Sequence, residues 1–123
     1  MLKKEFGFFW VGFYMHQHEQ QLTIGPYQGE LPCFFIPFGK GVCGNAALEG
    51  KTVIVPNVAQ YPGYIACHPE PRSEIVVPAM WQGECAFVLD IDHIEANYFD
   101  MVDAEMLEML CKKVLTYMME NHD

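Results

Sequence analysis

Five cysteines stand in this 123-residue chain, at positions 33, 43, 67, 85 and 111, and the surroundings of three bear on reactivity. Cys67 lies in Ile65-Ala66-Cys67-His68-Pro69, with Arg72 close by. Neighbouring cations or potential cations favour a thiolate, and the prolines stiffen the loop that carries it. Cys43 belongs to Gly39-Lys40-Gly41-Val42-Cys43-Gly44, just ahead of a short helix predicted over 45–48 and ended by Gly50. Backbone N–H groups and the helix dipole lower the pKa of a thiol placed there; the competing reading is a small residue filling a tight turn. Cys33 follows Pro32 at a predicted strand start and on its own reads as a packed small hydrophobe. Cys85 and Cys111 sit in apolar strand and helix patterns and are expected in the core. An odd cysteine count at this density is not a disulfide scaffold, so thiols in a reducing compartment are expected.

Carboxylates form the second group. Glu74 opens one predicted strand, and Asp90-Ile91-Asp92 closes the next. Alternation along a strand puts Asp90 and Asp92 on one face. Carboxylates held side by side raise one another's pKa and keep a proton available for general acid work. Surface acids at a solvated turn are the plainer alternative. Two other chemistries fit less well. Gly39 to Gly44 matches G-x-G-x-x-G, but after Val55-Pro56-Asn57 no acid follows until Glu70, and the chain is too short for a doubly wound sheet. His16, His18, His68 and His93 lack the C-x-x-C or H-x-x-x-H spacing of a zinc site. No metal or cofactor is expected, and His16 and His18 read as surface residues.

The elements that must position these groups follow from periodicity. Residues 6–14 form a strand apolar on both faces, with Phe6, Phe8, Trp10 and Tyr14 on one and Phe9, Val11 and Phe13 on the other. Further strands are predicted at 22–24, 33–38, 52–55, 74–79 and 85–91, with Gly25-Pro26, Gly29, Pro56 and Gln82-Gly83 as punctuation. A helix covers 102–119 on the spacing of Met106, Leu107, Leu110, Val114 and Met118, with Asp103 as its N-cap. Between them, 57–73 is a proline-rich connection without periodicity, of a length that is usually functional. Short strands with few helices indicate an α+β class, one domain over 1–123, with a mainly antiparallel sheet.

Composition sets outer limits. The chain is 51% hydrophobic and carries 7 Lys+Arg against 16 Asp+Glu, for a formal net charge of -9. Nucleic acid and anionic membranes need a concentrated basic surface and are disfavoured as partners. No run reaches the length of a membrane span. Two lysines precede the apolar start, but Gly7, Gly12 and the lack of a small-residue cleavage site argue for a strand rather than a signal peptide. A cytoplasmic protein is expected.

Several motifs occur together in one order: Phe9-Trp10-Val11-Gly12-Phe13-Tyr14, Gly39-x-Gly-Val-Cys-Gly-x-Ala46, Tyr61-Pro62-Gly63-x-Ile65-Ala66-Cys67, Ser73-Glu74-Ile75-Val76-Val77-Pro78, and Val88-Leu89-Asp90-Ile91-Asp92. This series resembles the free methionine-R-sulfoxide reductases, a family built on a GAF domain, over nearly the whole chain. The resemblance implies a GAF-like fold, a sheet flanked by helices, and reduction of free methionine sulfoxide with thioredoxin as reductant. It further implies Cys67 as nucleophile, Cys33 as main resolving thiol, and Cys43 as a second exchange thiol. Glu74 and Asp92 would hold and protonate the sulfoxide oxygen, Asp90 would help bind the amino group, and Trp10, Tyr14 and Ile65 would line the pocket. Three features depart from the family pattern. Tyr64 stands where the family usually has His, His68 where it has Asp, and a helical segment that precedes the first strand in the family is not evident. That segment is dispensable, is replaced by a second copy in a homodimer, or is a loss that weakens activity. The rival functional reading is a GAF module that only binds a small ligand or senses redox state.

Overall fold

The computed structural model describes residues 8–120; the lysine-bearing start and Phe6 lie outside the described residues. In chain order the elements are β1 (Phe8–His18), β2 (Gln21–Gln28), β3 (Phe35–Pro37), α1 (Gly41–Glu49), β4 (Val53–Val55), a 3-10 turn (Val58–Gln60), β5 (Ser73–Trp81), β6 (Glu84–His93) and α2 (Met101–Glu120). Six strands form one sheet in the order β3-β2-β1-β6-β5-β4, and every pairing is antiparallel. This is the α+β architecture expected from the strand-rich pattern.

The sheet separates two cores. On one face Trp10, Tyr14, Leu22, Val76 and Val88 pack with Val42, Cys43, Ala46 and Ala47 of α1. On the other, Val11, Ile75, Val77, Phe87, Leu89 and Ile91 pack with Ala104, Cys111 and Leu115 of α2. Cys85 and Cys111 are buried as expected, and burial pushes their thiols up to about 11 and about 12. β5 and β6 join through Gln82 and Gly83, whose φ angles of 53° and 84° give the left-handed pair that suits a tight hairpin.

Several boundaries differ from the sequence expectation, each for a local reason. A register shift between Phe8 and Trp10 moves Phe8 to the α2 face and Phe9 to the opposite one, the reverse of strict alternation. β2 runs through Gly25-Pro26 because the β1–β2 register also slips between Gly12 and Tyr14, and such an irregularity tolerates a residue without an N–H. β3 is only three residues long, which leaves Cys33 in a loop. His16 lies within β1 and is partly buried, with its ring nitrogens on the carbonyls of Cys85 and Glu19. At α2 the N-cap is Asp100 rather than Asp103. The Asp103 N–H donates to Asp100 Oδ1 at 3.0 Å and the Asp100 N–H to Asp103 Oδ2 at 2.9 Å, a reciprocal capping box.

α1 begins at Gly41, not Asn45, so Cys43 is inside the first turn. Gly44 explains the glycine pattern there: a Cβ at this position would stand 2.3 Å from the Pro37 carbonyl oxygen. Of the glycines that mimic a nucleotide fingerprint, Gly44 serves close packing of α1 on β3, while Gly39 and Gly41 take positive φ angles of 82° and 64°.

Candidate active site

Strand register assembles the acids. Asp92 lies between Trp10 of β1 and Glu74 of β5, while Asp90 pairs with Gly12 and Val76. Glu74, Asp90 and Asp92 therefore point to the α1 face and are 5%, 6% and 8% exposed. One oxygen each of Glu74 and Asp90 and the Cys43 sulfur lie within 4.8 Å of one another. Burial pushes the Glu74 carboxyl well above the usual range, and repulsion from Asp90 and Asp92 adds to this. Asp92 is likewise held well above its ordinary value by burial and by Asp90. Burial raises Asp90 too, but hydrogen bonds from Glu74 and from the Cys43 thiol, with the nearby His68 ring, oppose the rise. Burial among like charges thus favours the protonated forms in this cluster, and Glu74 donates to both Asp90 and Asp92. Among the described residues, Asp90 Oδ1 and Asp92 Oδ1 are buried without a hydrogen-bond partner.

Cys33 and Cys67 form a disulfide, with Cα atoms 5.5 Å apart. This pair departs from the expectation of free thiols throughout, and it joins the two cysteines that the resemblance implies as nucleophile and main resolving thiol. Cys33 sits on a strap, residues 29–34, that crosses from β2 to β3. Cys67 sits in the long connection, whose only regular piece is the Val58–Gln60 turn. Trp10 Nε1 donates to the Glu30 carbonyl at 3.0 Å and the Tyr14 hydroxyl to the Cys33 carbonyl at 3.0 Å.

Cys43 corrects the sequence expectation. It does stand in the first turn of α1, yet its thiol is pushed well above the ordinary value by burial and by the charges of Asp90, Glu74 and Asp92. The helix dipole acts from one side only and is overcome by desolvation among acids. In this state Cys43 is a thiol that donates to Asp90, not a thiolate.

The three acids, Cys43, Cys67, Trp10 and Tyr14 line one cavity of about 30 Å³, together with Ile65, Tyr64, His68, Ile36, Lys40 and the first residues of α1. On this measure a single water takes at least about 10–15 Å³, so the enclosed part of the cavity in the disulfide form is the size of a few waters. Every residue singled out in the sequence for catalysis or binding lies on this cavity except Cys33, which enters through the disulfide. Lys40, Ile36 and Pro71 also line it and were missed, since a loop lysine and scattered apolar residues carry no chemical pattern. α1 has no side-chain N-cap, which leaves first-turn N–H groups for an anion at this cavity. Among the described residues no helix is long and apolar enough to cross a membrane.

Comparison with known proteins agrees with this geometry. Residues 2–114 match the GAF domain family. The chain is 50% identical over 108 residues to the free methionine-R-sulfoxide reductase of Saccharomyces cerevisiae, covering 85% of this chain and 60% of the relative. The solved structure of the Neisseria meningitidis free methionine-R-sulfoxide reductase in complex with its substrate superposes with a TM-score of 0.87 at 48% identity, covering 90% of this chain and 67% of that one. The type II reductase of Thermoplasma acidophilum gives a TM-score of 0.85 at 34% identity, with 91% and 79% covered. This chain thus spans roughly 60% to 79% of the length of these relatives. A GAF sheet carrying a cysteine pair above three buried acids, with this likeness, places the chain in the GAF-domain family of free methionine-R-sulfoxide reductases.

Proposed function

We propose that this chain reduces free L-methionine-(R)-sulfoxide to L-methionine, and that the observed disulfide is the state left after one turnover. The observation that carries the reading is the Cys33–Cys67 disulfide set over an acid cluster in which two carboxylate oxygens have no partner among the described residues. The zwitterionic substrate supplies what the cavity lacks. Its ammonium is a donor for Asp90 and Asp92. Lys40 and the uncapped start of α1 suit its carboxylate. Trp10 and Tyr14, 1% and 2% exposed, wall the methyl group.

Cys67 as thiolate attacks the sulfoxide sulfur while a proton from Glu74 or Asp92 passes to the sulfoxide oxygen. The S–O bond breaks as that oxygen moves to Cys67, releasing methionine and leaving a sulfenic acid. The Cys33 thiol then condenses with it, forming the disulfide and one water. A dithiol such as thioredoxin reduces the disulfide by exchange. Cys43 comes later in that exchange, because its buried thiol is poorly ionised. A homodimer and a cytoplasmic location complete the proposal.

The test is consumption of separated R and S diastereomers of free methionine sulfoxide, coupled through thioredoxin to NADPH oxidation. Turnover of the R form alone is expected. Folded protein that binds the R form without turnover would instead establish a ligand-binding module.

A further inference from the structure

The two arms that carry the disulfide are anchored differently. The strap of Cys33 is held from the sheet below by Trp10 and Tyr14, at the Glu30 and Cys33 carbonyls. Both side chains are core residues of β1, so Cys33 is placed whatever the state of its sulfur. The arm of Cys67 lacks such support. Its flanks are tied where the Tyr64 N–H meets the Tyr61 carbonyl at 3.2 Å and the Arg72 N–H meets that of His93 at 2.8 Å. Among the described residues, 65–71 make no backbone–backbone hydrogen bond. Besides the disulfide, the hydrogen bond of this segment is His68 Nε2 to the Leu31 carbonyl, at 2.7 Å. A carbonyl only accepts, so Nε2 carries the proton. Phe9 meets the ring edge-on at a centroid distance of 5.2 Å and orients it.

We propose that His68 is a positioning residue for disulfide closure: by binding the Leu31 carbonyl it clasps the arm of Cys67 to the strap of Cys33 and raises the effective concentration of one sulfur at the other. The position is next to Cys67 and two residues from Cys33 across the clasp, so holding it removes most of the freedom of the arm. The proposal rests on the reading above only in taking Cys67 as the thiol that the substrate oxidises.

The dithiol protein is equilibrated in glutathione redox buffers, where protein dithiol plus oxidised glutathione gives protein disulfide plus two reduced glutathiones. The Cys33–Cys67 disulfide is quantified by alkylation and peptide mapping. In His68→Ala the effective concentration is expected to fall roughly three- to tenfold, the equivalent of one neutral hydrogen bond. His68→Gln keeps an N–H donor and restores most of it, while the thermal midpoint of the dithiol form stays within a degree or two of the parent. In a single turnover without reductant, the lag between methionine release and disulfide closure lengthens in His68→Ala, with more sulfenic acid trapped by dimedone. Equal effective concentrations in parent and His68→Ala, or failure of Gln to restore the value, would overturn the clasp. Absence of methionine from the parent would sink the proposed function, while the glutathione measurement would still decide the role of His68.

Discussion

The two faces of the sheet share the same strands and differ in what they bury. Toward α2, Ile75, Val77, Phe87, Leu89 and Ile91 make an apolar layer in which burial stabilises. Toward α1, one residue along each strand, Glu74, Asp90 and Asp92 replace apolar side chains near the strand ends. Burial there opposes ionisation and, among the described residues, leaves two carboxylate oxygens without partners. The α2 face is uniformly apolar, whereas the α1 face combines an apolar core with a reactive arrangement that the rest of the fold must support. Mutations on the two faces should therefore separate activity from stability.

The largest expected effect is on chemistry alone. Cys67→Ser should abolish thioredoxin-coupled turnover, and a steady-state assay with full activity would remove Cys67 as nucleophile. Glu74→Gln should lower kcat by about 10²–10⁴, the usual range for a lost general acid, with thermal stability at neutral pH equal to the parent or higher, because one buried acid is gone. Loss of stability without loss of turnover would reverse the proposed division between the faces. Phe87→Ala, on the α2 face at 0% exposure, should cost about 3–5 kcal/mol in denaturant unfolding, with kcat of the remaining folded protein little changed.

The acids also give a pH signature. Glu74 and Asp92 have folded pKa values raised above their unfolded ones. Their contribution is fully present below the unfolded carboxylate range, and is lost as pH rises through the folded values. Unfolding midpoints should fall as pH rises above about 4.5, less steeply in Glu74→Gln/Asp92→Asn, and turnover should fall in the same direction as the general acid loses its proton. His93 acts oppositely: burial lowers its pKa, so its contribution is present above the ordinary histidine range and lost as pH falls. The smallest effect is at the α2 cap, where Asp100→Ala should cost about 1 kcal/mol in the same unfolding experiment and leave turnover unaltered.

Legibility from sequence varied with how local the physics was. The hairpin at Gln82-Gly83, the helix after residue 100 and the burial of Cys85 and Cys111 follow from periodicity and turn chemistry, and all are present. The swap of Phe8 and Phe9 was not readable, because a register shift depends on the neighbouring strand. Neither was the true cap of α2, where Asp100 and Asp103 bond each other and either could have led. Cys43 is the clearest case. Its place in a first helical turn was read within a few residues, but the sign of its pKa shift was not. A helix dipole is visible in the chain order, whereas desolvation and three converging carboxylates are visible only in three dimensions.

By itself the sequence determined the strand-rich class, the motif series that marks the family, and the identity of the cysteines and acids able to do chemistry. Those follow from residue type and near-neighbour spacing. Tertiary structure decided which sulfurs meet, since Cys33 and Cys67 are 34 residues apart in sequence and 5.5 Å apart at their Cα atoms. It also brought Glu74 opposite Asp92 through the β5–β6 register and left Cys43 protonated among acids. The physical reason is common to all three. Proton affinity and bond formation depend on distance and solvent exclusion, and both are set by packing of segments far apart in the chain.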